Sequence, residues 1–257
     1  MDGRDKPGHD GKWTGMATIL ALDKISKRFG AIVIADRIDL ALGEGEALGI
    51  IGPNGAGKTT LFGIMTGTVA PDGGRVAFEG RDVTQLSPAR RCAMGIARSF
   101  QVPQPFGGMT VFENLVVAAA FGGGKPERQV YARCLEILER CGLAAKTNRL
   151  AGALTLLDRK RLELARALAT DPKVLLLDEV AGGLTEHECA ALVALIKDIR
   201  RAGISIIWIE HIVHALLAVV DRLAVLHGGA ILAQGAPQAV IRAPAVAEIY
   251  MGIEADA

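Results

Sequence analysis

Aromatic side chains are scarce in this 257-residue chain: seven Phe, two Tyr and two Trp, 4% of the total. A core built without them has to be aliphatic, mostly Ala, Leu, Ile and Val. No excess of either charge is present. Lys plus Arg number 29 and Asp plus Glu 28, a net charge of +1, so nothing points to nucleic acid or an acidic membrane surface as the main partner. Cysteines are few and scattered (Cys92, Cys134, Cys141, Cys189) with no C-x-x-C pair. That argues against a metal or disulfide framework and for reduced, buried thiols. No apolar run reaches the roughly 18 residues that span a bilayer; the longest candidate, Ile204 to Val220, is interrupted by Glu210, His211 and His214. With no secretory signal visible, the chain is expected to be made and kept in the cytoplasm. Hydrophobic residues make up 50% and charged residues 22%, which is globular composition. The length suits one large α/β domain or two small ones. Glycine, at 31 residues, is plentiful.

Residues 1–16 are polar, rich in Gly and Asp, and without a period of 2 or 3.6. They read as a disordered extension, with Met16 a candidate for the true start. Short strands are expected at Ile19 to Leu22 and Ile38 to Leu42. Ala47 to Ile51 is a continuous apolar run of the kind a buried parallel strand shows, and a glycine-rich loop and a helix over roughly Lys58 to Thr66 follow. Strand pieces at Arg75 to Phe78 and Arg81 to Val83 flank a Glu79-Gly80 turn. Residues about 106 to 170 have a helical pattern, with helices over Pro126 to Arg140 and Leu156 to Ala169. Buried strands are expected at Val174 to Leu177, Ile204 to Ile209 and Leu223 to Leu226. Between the first two of these, Thr185 and Glu188 form a capping box that opens a helix reaching about Ala202. Gly228-Gly229 turns into a strand over Ala230 to Ala233, and one amphipathic helix is expected from Ala236 to Tyr250. The alternation implies a doubly wound, mostly parallel sheet with a helical insertion in its middle.

Gly52-Pro53-Asn54-Gly55-Ala56-Gly57-Lys58-Thr59 fits G-x-x-x-x-G-K-[ST] without a mismatch, between a strand and a helix as the mechanism requires. Its glycines let backbone N–H groups ring a phosphate, and the helix adds its positive end. Lys58 is placed for the β- and γ-phosphates and Thr59 for Mg²⁺; Thr60 follows in the same turn. The apolar strand Val174 to Leu177 ends in Asp178 and Glu179. Strand C-termini of a parallel sheet face the ligand crevice, so Asp178 is expected to hold Mg²⁺ and Glu179 to polarise the attacking water as general base. An Asp-Glu pair in this position can also serve as a helix cap with a first-turn acid.

From Ala17 to Gly252 the chain resembles the ATP-binding cassette (ABC) family. The resemblance implies an α/β phosphate-loop NTPase fold of the ABC type: a mostly parallel core sheet, an antiparallel β portion, and an inserted α-helical subdomain at about 102–170. It implies ATP and Mg²⁺ as ligands. Phe29 stands where the family stacks an aromatic on adenine, although a core Phe is an alternative for that position. Gln101, in Ser99-Phe100-Gln101, matches the glutamine that touches Mg²⁺ and water. His211 matches the histidine that contacts the γ-phosphate, against the alternative of a structural histidine.

A nearer resemblance is to the ATPases of bacterial branched-chain amino acid importers, carried by Leu86-Ser87-Pro88, Gly95 to Gln101, Met109 to Leu115, Arg161 to Leu168, Ile209-Glu210-His211 and Glu248 to Gly252. Sibling importers of urea or short amides share many of these pieces, and a soluble, non-transport cassette protein is a further alternative. The implied partners are a second ATPase subunit, two membrane permeases and a periplasmic binding protein acting through them, with no nucleic acid. The chain would then sit on the inner face of the cell membrane. Two departures from the family stand out. Its signature segment, usually Leu-Ser-Gly-Gly-Gln, falls on Leu154-Thr155-Leu156-Leu157-Asp158, where the glycine needed for close backbone approach is lost. Thr185 stands where the D-loop commonly has Asp. These departures suggest pairing with a different ATPase subunit, and hence two unequal sites.

Overall fold

A computed structural model describes residues 17–251. The extension expected at residues 1–16 and the last six residues lie outside the described residues. Two long strands open the fold, β1 (Thr18–Phe29) and β2 (Ile32–Gly43), followed by β3 (Ala47–Ile51) and helix α1 (Lys58–Thr66). Strands β4 (Gly73–Phe78) and β5 (Arg81–Asp82), helix α2 (Pro88–Met94) and strand β6 (Ile96–Arg98) come next. A helical stretch then carries α3 (Val111–Val117), a π-helical turn at Ala118–Gly122, α4 (Glu127–Arg140) and α5 (Leu156–Ala169). The remainder alternates: β7 (Val174–Asp178), α6 (Glu186–Arg201), β8 (Ser205–Ile209), α7 (Val213–Leu217), β9 (Arg222–His227), β10 (Ala230–Gly235), α8 (Pro237–Ile241) and α9 (Pro244–Met251).

Two sheets result. One is antiparallel, in the order β2-β1-β4-β5; the other has six strands in the order β10-β9-β3-β8-β7-β6. Within the second, β9, β3, β8, β7 and β6 run parallel and only β10 is antiparallel. This is the mixed α/β architecture expected from the sequence. The apolar runs have a simple cause: β3, β7 and β8 are buried on both faces. Their side chains divide by alternation between two cores. Ala47, Ile51, Leu175, Leu177, Ile206 and Trp208 pack toward α5, α6 and α7, whereas Leu48, Ile50, Val174, Leu176, Ile207 and Ile209 pack against the antiparallel sheet and α1.

Four elements stand out against the expectations. The first strand runs on to Phe29, its polar second half being held by pairing with β2. Helix α2 and the three-residue β6 were not foreseen; α2 is capped by Ser87 with Pro88 in its first turn, and β6 is held by parallel pairing to β7. The C-terminal helix is two helices. Pro244 disfavours the α conformation in the residue before it and opens α9 itself, so the break falls at Arg242-Ala243.

Candidate functional site

Parallel pairing brings the ends of β3, β7 and β8 together, with Asp178 opposite Ile209 in register. The loop after β3 is residues 52–57. Two of its glycines are required by their surroundings. A Cβ on Gly52 would strike the Leu226 carbonyl oxygen, and one on Gly57, where φ is 98°, would lie 2.8 Å from the Ile34 carbonyl oxygen. The loop and the start of α1 line a cavity of about 260 Å³ with Ile34, Asn54, Gly55, Ala56, Gly57, Lys58, Thr59, Thr60 and Glu179 at its walls. Lys58 is turned back on its own loop. Its Nζ donates to the Gly52 carbonyl at 2.7 Å and the Pro53 carbonyl at 3.0 Å. Burial pushes its pKa below the ordinary lysine value, partly offset by Glu179 and Asp178.

Glu179 has φ of 46°, a left-handed backbone at a non-glycine residue, which costs about 1–3 kcal/mol and recurs at functional sites. Both carboxylate oxygens are engaged. Gln101 Nε2 donates to Oε2, and His211 Nε2 lies 2.8 Å from Oε1. Gln101, Glu179 and His211 thus meet, although 78 and 32 residues separate Glu179 from its two partners in sequence. Asp178 is held separately, by Arg98 Nη2 at 2.5 Å.

Sequence reasoning overlooked three participants: Ile34, Arg98 and Glu210. Glu210 is buried and accepts from the backbone N–H of Ala181 and His211 at 3.0 Å each, with Ile212 N–H at 3.5 Å. A buried carboxylate next to a candidate histidine was the available signal. Lys160, also buried, feels Glu210 and Glu179, but desolvation dominates and lowers its pKa.

Phe29 is 51% exposed at the tip of the β1–β2 hairpin, with Lys27 Nζ 5.2 Å from its ring centre. It is no core residue, and the same hairpin reaches the cavity through Ile34. The segment Leu154–Asp158 is not among the residues lining that cavity. Thr155 caps α5, accepting from Asp158 N–H and donating to the Asp158 carboxylate at 2.9 Å. Asp158 is also tied to Lys146, with Arg161 at 3.9 Å.

A glycine-lined cradle between a buried parallel strand and a helix, with paired acids ending the strand two places away in the same sheet, defines a nucleotide-binding α/β protein. The ABC transporter family model matches residues 35–182, and the chain belongs to that family: it is a cassette ATPase. It is 36% identical over 249 residues to the high-affinity branched-chain amino acid transport ATP-binding protein LivG of Salmonella typhimurium, covering 91% of this chain and 98% of that protein. Identity is 34% to the probable branched-chain amino acid transport ATP-binding protein LivG of Methanocaldococcus jannaschii, over 91% and 97% of the two chains. Among solved structures, a nucleotide-free ATP-binding cassette from an ABC transporter matches with a TM-score of 0.84 and 33% identity, covering 92% of this chain and all of that one. The ADP conformation of the cassette MJ1267 matches with a TM-score of 0.84 and 34% identity over the same shares.

Proposed function

We propose that this chain is the ATP-hydrolysing subunit of a membrane importer for branched-chain or related amino acids. The likeness to the LivG proteins, end to end along both chains, is the observation that supports this solute class. In this reading residues 17–257 form a single nucleotide-binding domain, with the helices of about 102–170 as an inserted subdomain. The β- and γ-phosphates of ATP enter the cradle, Lys58 leaves the Gly52 and Pro53 carbonyls for them, and the N–H groups of residues 54–60 complete the ring. Phe29, exposed at its hairpin tip, stacks on adenine.

The donor set suits Mg²⁺, because the Thr59 hydroxyl, the Asp178 carboxylate and the Gln101 amide oxygen are hard oxygen ligands. An ion held by these residues would supply positive charge to the phosphate oxygens. Glu179 accepts a proton from the attacking water. To do so it must exchange at least one of its present bonds to Gln101 and His211 for that water, and His211 is then released toward the γ-phosphate. The segment Leu154–Asp158 faces ATP held by a second ATPase subunit. Two permeases receive the motion, and a periplasmic binding protein selects the solute, so the chain works on the inner face of the membrane.

Two measurements test this reading. Lys58→Ala should lose tight ATP binding, whereas Glu179→Gln should keep binding and lose turnover by roughly 10²- to 10⁴-fold; wild-type hydrolysis by the latter would remove Glu179 as the base. Tagged chain purified from host membranes in mild detergent should bring two polytopic permeases and a second ATPase, identified by mass spectrometry. Recovery of only soluble partners or ribosomes would replace the importer with a soluble cassette protein.

A further inference from the structure

Arg98 ends β6, and β6 lies against β7, so its side chain reaches the acid that ends the neighbouring strand. Its Nη2 donates to Asp178 Oδ2 at 2.5 Å, with the two side chains 12% and 4% exposed. The guanidinium lies 5.6 Å from the ring centre of Phe62, in the core, and 5.2 Å from that of Phe100, which is half exposed. Phe100 immediately precedes Gln101, which holds Glu179. Three residues apart in one segment, Arg98 and Gln101 thus hold the two consecutive acids of the site.

We propose that Arg98 is a positioning residue that acts as a resident counter-ion for Asp178 and competes with Mg²⁺ for its carboxylate. The inference rests on the reading of Asp178 as a metal-holding acid. Arg98 holds one of the two carboxylate oxygens, Oδ2, and two cations drawn to one buried carboxylate repel each other, so a metal at Asp178 weakens the guanidinium's hold and the guanidinium weakens the metal's. Its present seat is incomplete. Arg98 Nε is buried without a hydrogen-bond partner, and a buried ion pair barely recovers its own desolvation cost. The seat therefore depends on the charge of Asp178, and a metal that neutralises that charge removes the reason for Arg98 to stay. The exit runs past Phe100, because Phe62 closes the inner side. Metal binding at Asp178 is then coupled through one side chain to the backbone that carries Gln101.

The competition predicts a particular metal dependence. Binding of the non-hydrolysable analogue AMP-PNP to the full chain would be titrated against Mg²⁺, with calorimetry as the readout. Arg98→Met should lower the half-saturating Mg²⁺ by roughly fivefold or more, the low end of ordinary coupling between two mutually weakening contacts, while metal-free AMP-PNP binding stays within about twofold. Arg98→Lys, which keeps the charge, should stay close to wild type and controls for folding. A second readout needs no nucleotide: Mg²⁺ alone should raise the unfolding temperature of Arg98→Met, which exposes a bare Asp178, more than that of wild type. Asp178→Asn separates the two levels of the argument. If it leaves the Mg²⁺ dependence of AMP-PNP binding intact, Asp178 is not the metal acid and both readings fall. If it abolishes that dependence but Arg98→Met binds Mg²⁺ like wild type, the counter-ion role alone is overturned.

Discussion

Glu163 shows how much one buried side chain can set. It lies on the inner face of α5, 5% exposed, and accepts from Arg166 Nη1 at 3.0 Å. Burial raises its carboxyl above the ordinary value, with Arg166 pulling the other way. The sign follows from linkage. With the folded pKa raised, the folded protein keeps a proton that the unfolded chain has already released. This contribution is fully present below the unfolded value, about 4.3, and is lost as pH rises through the folded value. Glu163→Gln is neutral throughout, so it should gain in unfolding temperature relative to wild type as pH rises from about 4 through that window. Thermal scans of both proteins over that range check it; parallel curves would show that Glu163 is not raised. The cysteines make the opposite point. Among the described residues all four are free, and burial takes Cys134 to about 11 and Cys141 to about 12. These two are thiols, not thiolates, at neutral pH.

Helix ends are where sequence and structure agree most closely, because a cap is a local device. The Thr185–Glu188 capping box forms with both of its bonds. Thr155 caps α5 and also donates to Asp158. Replacing either by Ala should cost about 1 kcal/mol. Thr155→Ala should cost the more of the two, because the nearly buried Asp158 carboxylate also loses a donor; urea unfolding would give both values. Ala47 to Ile51 and Leu156 to Ala169 were legible to the residue, the first as a doubly buried run and the second as a periodic stretch capped by Thr155; α1, which has no side-chain cap, was legible through the glycine-rich loop that precedes it. Strand β6 was not. Three residues carry no period, and only pairing with β7 makes Ile96–Arg98 a strand. The site divides in the same way. The phosphate loop and the two acids are contiguous motifs and can be read directly. The Arg98–Asp178 pair spans 80 residues and exists because two strands happen to be neighbours, which no local pattern records. The tail break was written in the sequence as Pro244 and outweighed by an apolar periodicity that runs across it.

At the scale of the whole molecule, nucleotide should act as a staple. The cavity is walled by residues from β2, the phosphate loop, α1 and the end of β7, elements that belong to both cores. A ligand that binds only the folded form at a hundred times its Kd adds about 2.7 kcal/mol. For a chain of this size that is roughly 5–10 °C in unfolding temperature. Scanning calorimetry with AMP-PNP and Mg²⁺ should show the rise in wild type and not in Lys58→Ala; an equal rise in both would place the ligand elsewhere. The buried carboxylate of Glu210 has a mechanical consequence on the same scale. By gripping the N–H of Ala181 on one side and of His211 on the other, it rivets the strap that leaves β7 to the strap that leaves β8. Neither strap can travel alone. A displacement of the histidine should therefore be felt at residues 181–184 and, through the Thr185 cap, at the first turn of α6, a tie rod one side chain long.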